Sequence, residues 1–293
     1  MLNKEPLSIQ ESINFFSNKL ALAGIKNSRL DCQILIEFAM GISRERLIMD
    51  SQIPINGNDI KTIDSYINRR MLGEPVSRII GWREFYGRKF IINPYVLDPR
   101  PDSELIINLI KQKIPNENEK INILDLGTGS GALLLTLLSE FPRSTGLGVD
   151  ISYNAIKTAI NNSNELNLQK RAMFLRGNWG ESLKKNTFNI IVSNPPYIPR
   201  DKIFSLSPDV RIYDPKIALD GGMDGIGFYQ PIAKQSRYIL CDGGFLITEI
   251  GLGQSKLVSA ILKKEGFFIK SNDIKTDLSG KKRAIIANCN NLN

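Results

Sequence analysis

Hydrophobic residues along this chain recur with two different periods. Up to about residue 75 they return every three or four positions. Ser8 stands as an N-cap before Ile9, Ile13, Phe16 and Leu20 on one stripe. The segments "RLDCQILIEFAM", "SRERLIMD" and "NDIKTIDSYINRRM" keep that spacing between Gly, Ser and Pro breaks, which predicts a small helical bundle. The next stretch, "PVSRIIGWREFYGRKFIINPYVL", is rich in β-branched and aromatic residues around Gly81 and Gly87 and reads as a hairpin-like connector. In "DPRPDSELI", Asp102 or Ser103 is placed to cap a new helix. The expected organisation is a helical domain over 1–75, a connector over 76–100 and a larger domain over 101–293.

From about residue 119 short apolar runs alternate with helical patterns. The expected strands are "INILDLG", "STGLGVD", "RAMFLRGN", "FNIIVSN", "GGFLITEI", "GFFIKSND" and "KRAIIANC". Between them lie helical stretches such as "GALLLTLLSEF" and "SYNAIKTAINNSNEL". This alternation predicts an α/β fold: a doubly wound, mostly parallel seven-stranded sheet with helices on both faces. Ligands in such sheets bind beyond the carboxyl ends of the strands, near the switch in strand order.

Composition narrows the classes. Apolar residues at 42% and charged residues at 23% suit a globular chain and exclude general disorder. The opening "MLNKEPLSIQES" has no apolar core for a signal peptide, and "GALLLTLLSEF" is too short for a membrane span, so a cytoplasmic protein is expected. Three scattered cysteines (Cys32, Cys241, Cys289) show no metal-ligand spacing and fit reduced thiols. Histidine is absent, which removes histidine triads, histidine metal sites and histidine general bases; no metal is expected. The net charge of +8 permits an acidic partner, yet it is spread along the chain, with no concentrated basic arm in the first hundred residues.

Candidate chemistry begins at "LDLGTGSG", residues 124–131, where Gly127, Gly129 and Gly131 allow a tight turn and close backbone approach to a ligand at a helix start. The spacing is not that of dinucleotide folds, and Asp125 suits a cationic ligand better than a pyrophosphate. Asp150, 19 residues beyond Gly131, is placed to accept from ribose hydroxyls, with helix capping as the plainer role. In "RGNWG", Asn178 is placed to read an adenine amino group and Trp179 to pack on the ring. Together these residues resemble the S-adenosyl-L-methionine (AdoMet)-dependent methyltransferases over about residues 100–290. That resemblance implies cofactor contacts from Gly127, Thr128, Gly129, Ser130, Gly131, Asp150, Trp179 and Asn194, and a touch on adenine at Asn178, where many relatives have an acid.

"NPPY", residues 194–197, ends the fourth expected strand beside that pocket. Proline lacks an N–H and fixes φ, so Asn194-Pro195-Pro196 forms a stiff arc of acceptors with few competing donors. The Asn194 side-chain oxygen and the Pro195 carbonyl are suited to one substrate –NH₂ group, and Tyr197 to an aromatic contact with substrate or a sulfonium methyl. A planar nitrogen surrenders conjugation as it attacks a methyl, on the scale of the roughly 18–20 kcal/mol amide rotation barrier. Its N–H bonds become better donors as charge grows, so fixed acceptors favour the transition state. The methylated cation then loses its proton to water, and no histidine base is required. NPPY alone leaves adenine N6, guanine N2 and a glutamine amide open.

The longer pattern "PVSRIIGWREFYGRKFIINPYVLDPRPDSE", "LDLGTGSG", "VSNPPYIP", "LDGGMDGIGFY" and "GGFLITEIG" resembles the protein-glutamine methyltransferases that modify class I peptide chain release factors. This resemblance implies methylation of the glutamine amide nitrogen in the release factor's Gly-Gly-Gln motif, with Asn194, Pro195, Pro196 and Tyr197 gripping the glutamine. It also implies that the helical N-terminal part docks the protein substrate, and it requires no direct nucleic-acid or membrane binding. Arg100, Asp102, Ser103 and Glu104 match a family stretch that commonly has Thr at the Ser103 position, with helix capping the expected role of Asp102 and Ser103. Residues 219–225, "LDGGMDG", are read either as a loop at the pocket mouth or as a plain linker. The alternatives are a nucleic-acid amino-methyltransferase, disfavoured by the spread charge, and a non-catalytic AdoMet-binding module, disfavoured by an intact NPPY.

Overall fold

The structure is a computed structural model that describes residues 7–290. The expected domain ends at 1 and 293, and the first half of the segment read for a signal peptide, lie outside the described residues. Chain contacts divide it into two compact units at Gly81/Trp82.

The first unit holds α1 (Ile9–Leu22), α2 (Ser28–Met40), α3 (Arg44–Met49), α4 (Gly57–Met71) and α5 (Val76–Ile80). Ser8 caps α1 in a capping box: its hydroxyl accepts from the Glu11 N–H at 3.2 Å, and its own N–H donates to the Glu11 carboxylate at 2.8 Å. The expected stripe of Ile9, Ile13, Phe16 and Leu20 is buried, as are Cys32, Leu35 and Ile36 of α2 and Ile63 and Ile67 of α4. A sheltered Arg70–Asp31 ion pair at 2.8 Å ties α4 to α2.

The stretch expected as connector splits. Its first residues form α5, which Gly81 ends in the left-handed conformation. The second unit then opens with an antiparallel ribbon of β1 (Trp82–Phe85) and β2 (Arg88–Ile91). Its two-residue turn, Tyr86-Gly87, has positive φ at both positions (51° and 70°), the twist that tight hairpins favour. The Tyr86 N–H donates to the Glu104 carboxylate at 2.9 Å. At the far end, buried Asn162 exchanges hydrogen bonds with the Ile91 backbone at 2.7 and 3.0 Å and donates to the Ser130 carbonyl at 2.8 Å.

Beyond the ribbon come α6 (Glu104–Lys113), β3 (Asn122–Leu126), α7 (Ala132–Glu140), β4 (Thr145–Asp150), α8 (Tyr153–Glu165), β5 (Ala172–Arg176), β6 (Phe188–Ser193), α9 (Pro208–Tyr213), α10 (Tyr229–Ile239), β7 (Leu240–Glu249), α11 (Ser255–Lys264), β8 (Ile274–Thr276) and β9 (Lys282–Asn288). Seven strands form one sheet in the order β5-β4-β3-β6-β7-β9-β8, parallel except where β9 meets β7 and β8. Its central strands β3, β6 and β7 read as apolar runs because both faces are buried, whereas the edge strands β5 and β8 are partly exposed. One face packs Ile123, Ile190 and Ile247 with α6, α7 and the ribbon's Phe85 and Phe90. The other packs Leu124, Ile191 and Leu246 with Ile232 and Ala233 of α10 and Val258 of α11. The apolar "ALLLTLL" belongs to α7 and is buried throughout. No described helix is long and apolar enough to cross a membrane.

One expected strand is misplaced. Residues 266–273 contribute only an isolated bridge at Phe268, then a 3₁₀ turn over Ser271–Asp273, and the strand forms at Ile274–Thr276. The Asp273 side chain accepts from the Lys270 N–H at 2.7 Å. This local turn competes with the ladder that the apolar run Phe267-Phe268-Ile269 would otherwise join.

Candidate active site

The carboxyl ends of β3, β4, β5 and β6 converge on one cavity where the strand order reverses. Gly127, Thr128, Gly129 and Ser130 line it, and the Gly127 and Thr128 N–H groups donate to the Val149 carbonyl at 2.8 and 3.0 Å, which pins this loop to β4. Gly131 does not line the cavity. It starts α7 at φ +80°, where a Cβ would meet Leu135 Cδ1 at 3.0 Å and Ala159 Cβ at 3.3 Å. Close helix packing accounts for the missing side chain at this position.

Asp150 lines the cavity and is not the helix cap: Ser152 caps α8. The Asp150 carboxylate instead accepts from the Gly129 N–H and the Ser152 N–H, both at 2.9 Å, leaving further lone pairs on each oxygen. Burial raises its pKa, against the lowering by those backbone donors. Asp125 is deeper. Its Oδ2 accepts from the Thr128 hydroxyl at 2.7 Å, while its buried Oδ1 has no hydrogen-bond partner. Burial pushes this carboxyl up to about 7. Trp179, at φ +52°, packs on Phe228 with ring centroids 5.4 Å apart, and the two form an aromatic wall. The Asn178 amide donates to Glu181 Oε1 at 2.5 Å, which leaves its oxygen as an acceptor.

Asn194 and Pro196 line the cavity beside this wall, whereas Pro195 is buried behind them. Asn194 Nδ2 donates to Ser103 Oγ at 3.1 Å, and the Ser103 hydroxyl donates to Glu249 Oε2 at 2.5 Å. The Tyr197 hydroxyl donates to Glu249 Oε1 at 3.1 Å, and the Tyr229 hydroxyl to the Glu249 carbonyl at 3.0 Å. The Tyr197 hydroxyl thus faces Glu249; burial and that neighbouring carboxylate raise its pKa and keep the phenol neutral. Among the described residues none donates to Asn194 Oδ1 or to the Pro195 carbonyl. Ser103 carries no cap bond for α6, so capping is not its role. Asp102 pairs with Arg283 at 3.2 Å, and Arg100 with buried Asp214.

Residues 219–225 are no plain linker. The Ile198 N–H donates to the Leu219 carbonyl at 3.1 Å, the Gly221 N–H to the Ile198 carbonyl at 2.8 Å and Gln254 Nε2 to the Tyr197 carbonyl at 2.9 Å. This backbone brace holds the tip that follows β6. A Cβ on Gly225 would lie 2.4 Å from the Tyr197 carbonyl oxygen, at φ +75°. Gly225→Ala is expected to cost about 2–5 kcal/mol from left-handed strain plus overpacking. Gly222→Ala, with open space around it, should cost only about 1–2 kcal/mol. Chemical denaturation of both variants checks this; equal losses would contradict the brace.

Sequence reasoning did not anticipate Glu249, Phe228 or the segment Tyr95–Arg100, which lines the cavity after the ribbon except for Asp98. An acid closing the apolar run "GGFLITE", as Asp150 closes "GLGVD", was the available signal for Glu249. Among the described residues no group of three or more Cys, Asp or Glu is placed to hold a metal ion.

A seven-stranded sheet of this order, with a glycine loop, a strand-end acid and an NPPY tip around one cavity, defines a methyltransferase. A solved methyltransferase from Pyrococcus furiosus shares the fold, with a TM-score of 0.51 at 16% identity over 70% of this chain and 90% of that one. The chain belongs to the family of release factor glutamine methyltransferases. It is 38% identical to such a protein from Caulobacter vibrioides over 92% of each chain. It is 37% identical to another from Rhodospirillum rubrum over 92% of this chain and 81% of that one. Family profiles described as the PrmC N-terminal domain and the methyltransferase small domain match residues 11–81 and 101–205.

Proposed function

We propose that this chain transfers a methyl group from AdoMet to the side-chain amide nitrogen of the glutamine in the Gly-Gly-Gln motif of class I peptide chain release factors, in the cytoplasm. The observation that carries the chemistry is the Asn194 amide, whose donor end is held by Ser103 while Oδ1 stays open at the cavity wall. The choice of a glutamine acceptor rests on relatives that are release factor glutamine methyltransferases and match nearly the whole chain.

The cavity suits AdoMet. Asp150 retains lone pairs for ribose hydroxyls, Trp179 and Phe228 offer an aromatic wall for adenine, and the partnerless Asp125 Oδ1 suits an ammonium. When bound, AdoMet supplies an electrophilic methyl on a sulfonium. Asn194 Oδ1 and the Pro195 carbonyl accept from the glutamine –NH₂ and strengthen as that nitrogen turns cationic. Tyr197 and Ser103 hold this tip in place, so Tyr197 acts behind the reacting groups. The helical unit, with Phe15, Leu22 and Met49 exposed, docks the protein substrate.

Incubation with labelled AdoMet and a class I release factor, its Gln→Ala variant or nucleic acid tests the proposal by locating the label with mass spectrometry. Label on the Gly-Gly-Gln glutamine is expected. Label on nucleic acid alone would support the amino-methyltransferase reading instead.

Asp125 adds a pH dependence. With its carboxyl pushed up to about 7, it is protonated in the free protein below that pH and must lose the proton to pair with a cation. AdoMet affinity is therefore expected to fall as pH drops from about 7, by up to about tenfold per unit. Calorimetric titration from pH 8 to 5.5 measures this, and Asp125→Asn should flatten the profile.

A further inference from the structure

We propose that Glu249 is a positioning residue that, through Ser103, decides which end of the Asn194 amide faces the reacting nitrogen. The inference rests on the proposed amide methylation, where an acceptor must face the substrate –NH₂.

An asparagine side chain is nearly symmetric in shape, and its two ends differ only in hydrogen-bond polarity. A hydroxyl beside it does not choose between them, because it both donates and accepts. What chooses is the destination of the hydroxyl's own proton. Ser103 sits 2.5 Å from Glu249 Oε2; burial raises the Glu249 pKa while the Ser103 and Tyr197 hydroxyls and the Arg283 charge lower it, and in its ionised form the carboxylate only accepts. Ser103 must donate there, so the bond it shares with Asn194 runs from Nδ2 to Oγ, at 3.1 Å. Oδ1 is left for the cavity. The other carboxylate oxygen takes the Tyr197 hydroxyl at 3.1 Å and fixes the last residue of the NPPY tip. Three strand or helix ends meet here: β7 ends with Glu249, α6 follows Ser103 and β6 ends just before Asn194.

The carboxylate is 2% exposed. A buried charge is costly, and glutamine would fill the same space without one. Glutamine presents one accepting and one donating end, however, while Ser103 and Tyr197 both offer protons. With its –NH₂ turned to Ser103, the hydroxyl would accept from it and donate to Asn194 Oδ1. The Asn194 amide would then turn over and present a donor to the substrate.

Five variants test this: Glu249→Gln, Ser103→Ala, Ser103→Thr, Asn194→Ala and the double variant Glu249→Gln/Asn194→Ala. Glu249→Gln and Ser103→Ala are expected to lower kcat on the release factor about tenfold or more, with AdoMet affinity within about twofold of wild type. Ser103→Thr keeps the hydroxyl and should restore kcat to within about threefold. If Glu249 acts through Asn194, the double variant should be no slower than Asn194→Ala alone. Wild-type kcat in Glu249→Gln, or losses that multiply in the double variant, would overturn the proposal. A readout independent of methylation is the Asn194 side-chain –NH₂ signal in NMR, assigned by its loss in Asn194→Ala. It should be protected from solvent exchange in wild type and unprotected in Glu249→Gln; the same protection in both would also overturn it. No turnover of the release factor by wild type would sink the proposed function, and the NMR signal would still decide the relay.

Discussion

Asn194→Ala is expected to lower kcat at saturating AdoMet by about 10- to 150-fold. The substitution removes one acceptor whose hydrogen bond to a nitrogen turning cationic contributes about 1.5–3 kcal/mol. Its effect belongs in kcat because that bond strengthens only as charge develops. The fold should barely respond, since Asn194 is half-buried at the cavity wall and its one side-chain hydrogen bond goes to Ser103. Single-turnover kinetics with the release factor, beside thermal unfolding, separates the two effects. Turnover equal to wild type would refute the proposed transition-state contact.

Asp150→Ala should act on a different quantity. Two hydrogen bonds from ribose hydroxyls to an ionised carboxylate, at about 1.5–3 kcal/mol each, correspond to a loss of about 10²- to 10⁴-fold in AdoMet affinity. The Gly129 and Ser152 N–H groups also lose their acceptor, which loosens the loop after β3. Since the reacting groups lie at Asn194, kcat extrapolated to saturation should change far less than KM. Calorimetry with AdoMet measures the affinity directly. An affinity within a few-fold of wild type would mean that Asp150 serves only its backbone donors.

The sheet was legible because buried parallel strands read as continuous apolar runs, and because the residues ending them differ so sharply from the runs themselves. "LDLGTGSG", Asp150 and NPPY all stood at such ends, and the structure gathers them around one cavity. At Gly131 the sequence does not show that Leu135 and Ala159 pack against the loop, because a loop glycine looks the same whatever approaches it. Ser103 misled for another reason. Its backbone is already helical (φ −71°, ψ −16°) after the 3₁₀ turn over Pro101–Ser103, and capping requires an extended residue. Glu249 contacts Ser103 across 146 residues of chain, so no local pattern joins them. The displaced strand at 274–276 reflects a contest between a side-chain turn and a ladder, which hydrophobic periodicity does not register.

Apart from the Gln254 amide, which donates to the Tyr197 and Gly225 carbonyls, the brace over residues 219–225 joins main chain to main chain, and such contacts are indifferent to side-chain identity. Only the two glycines that permit close approach are bound by it, Gly221 and Gly225. Met223, between them and 89% exposed, has no share in holding the tip. The exposed side chain at position 223 is therefore free to change while the tip after β6 keeps its shape.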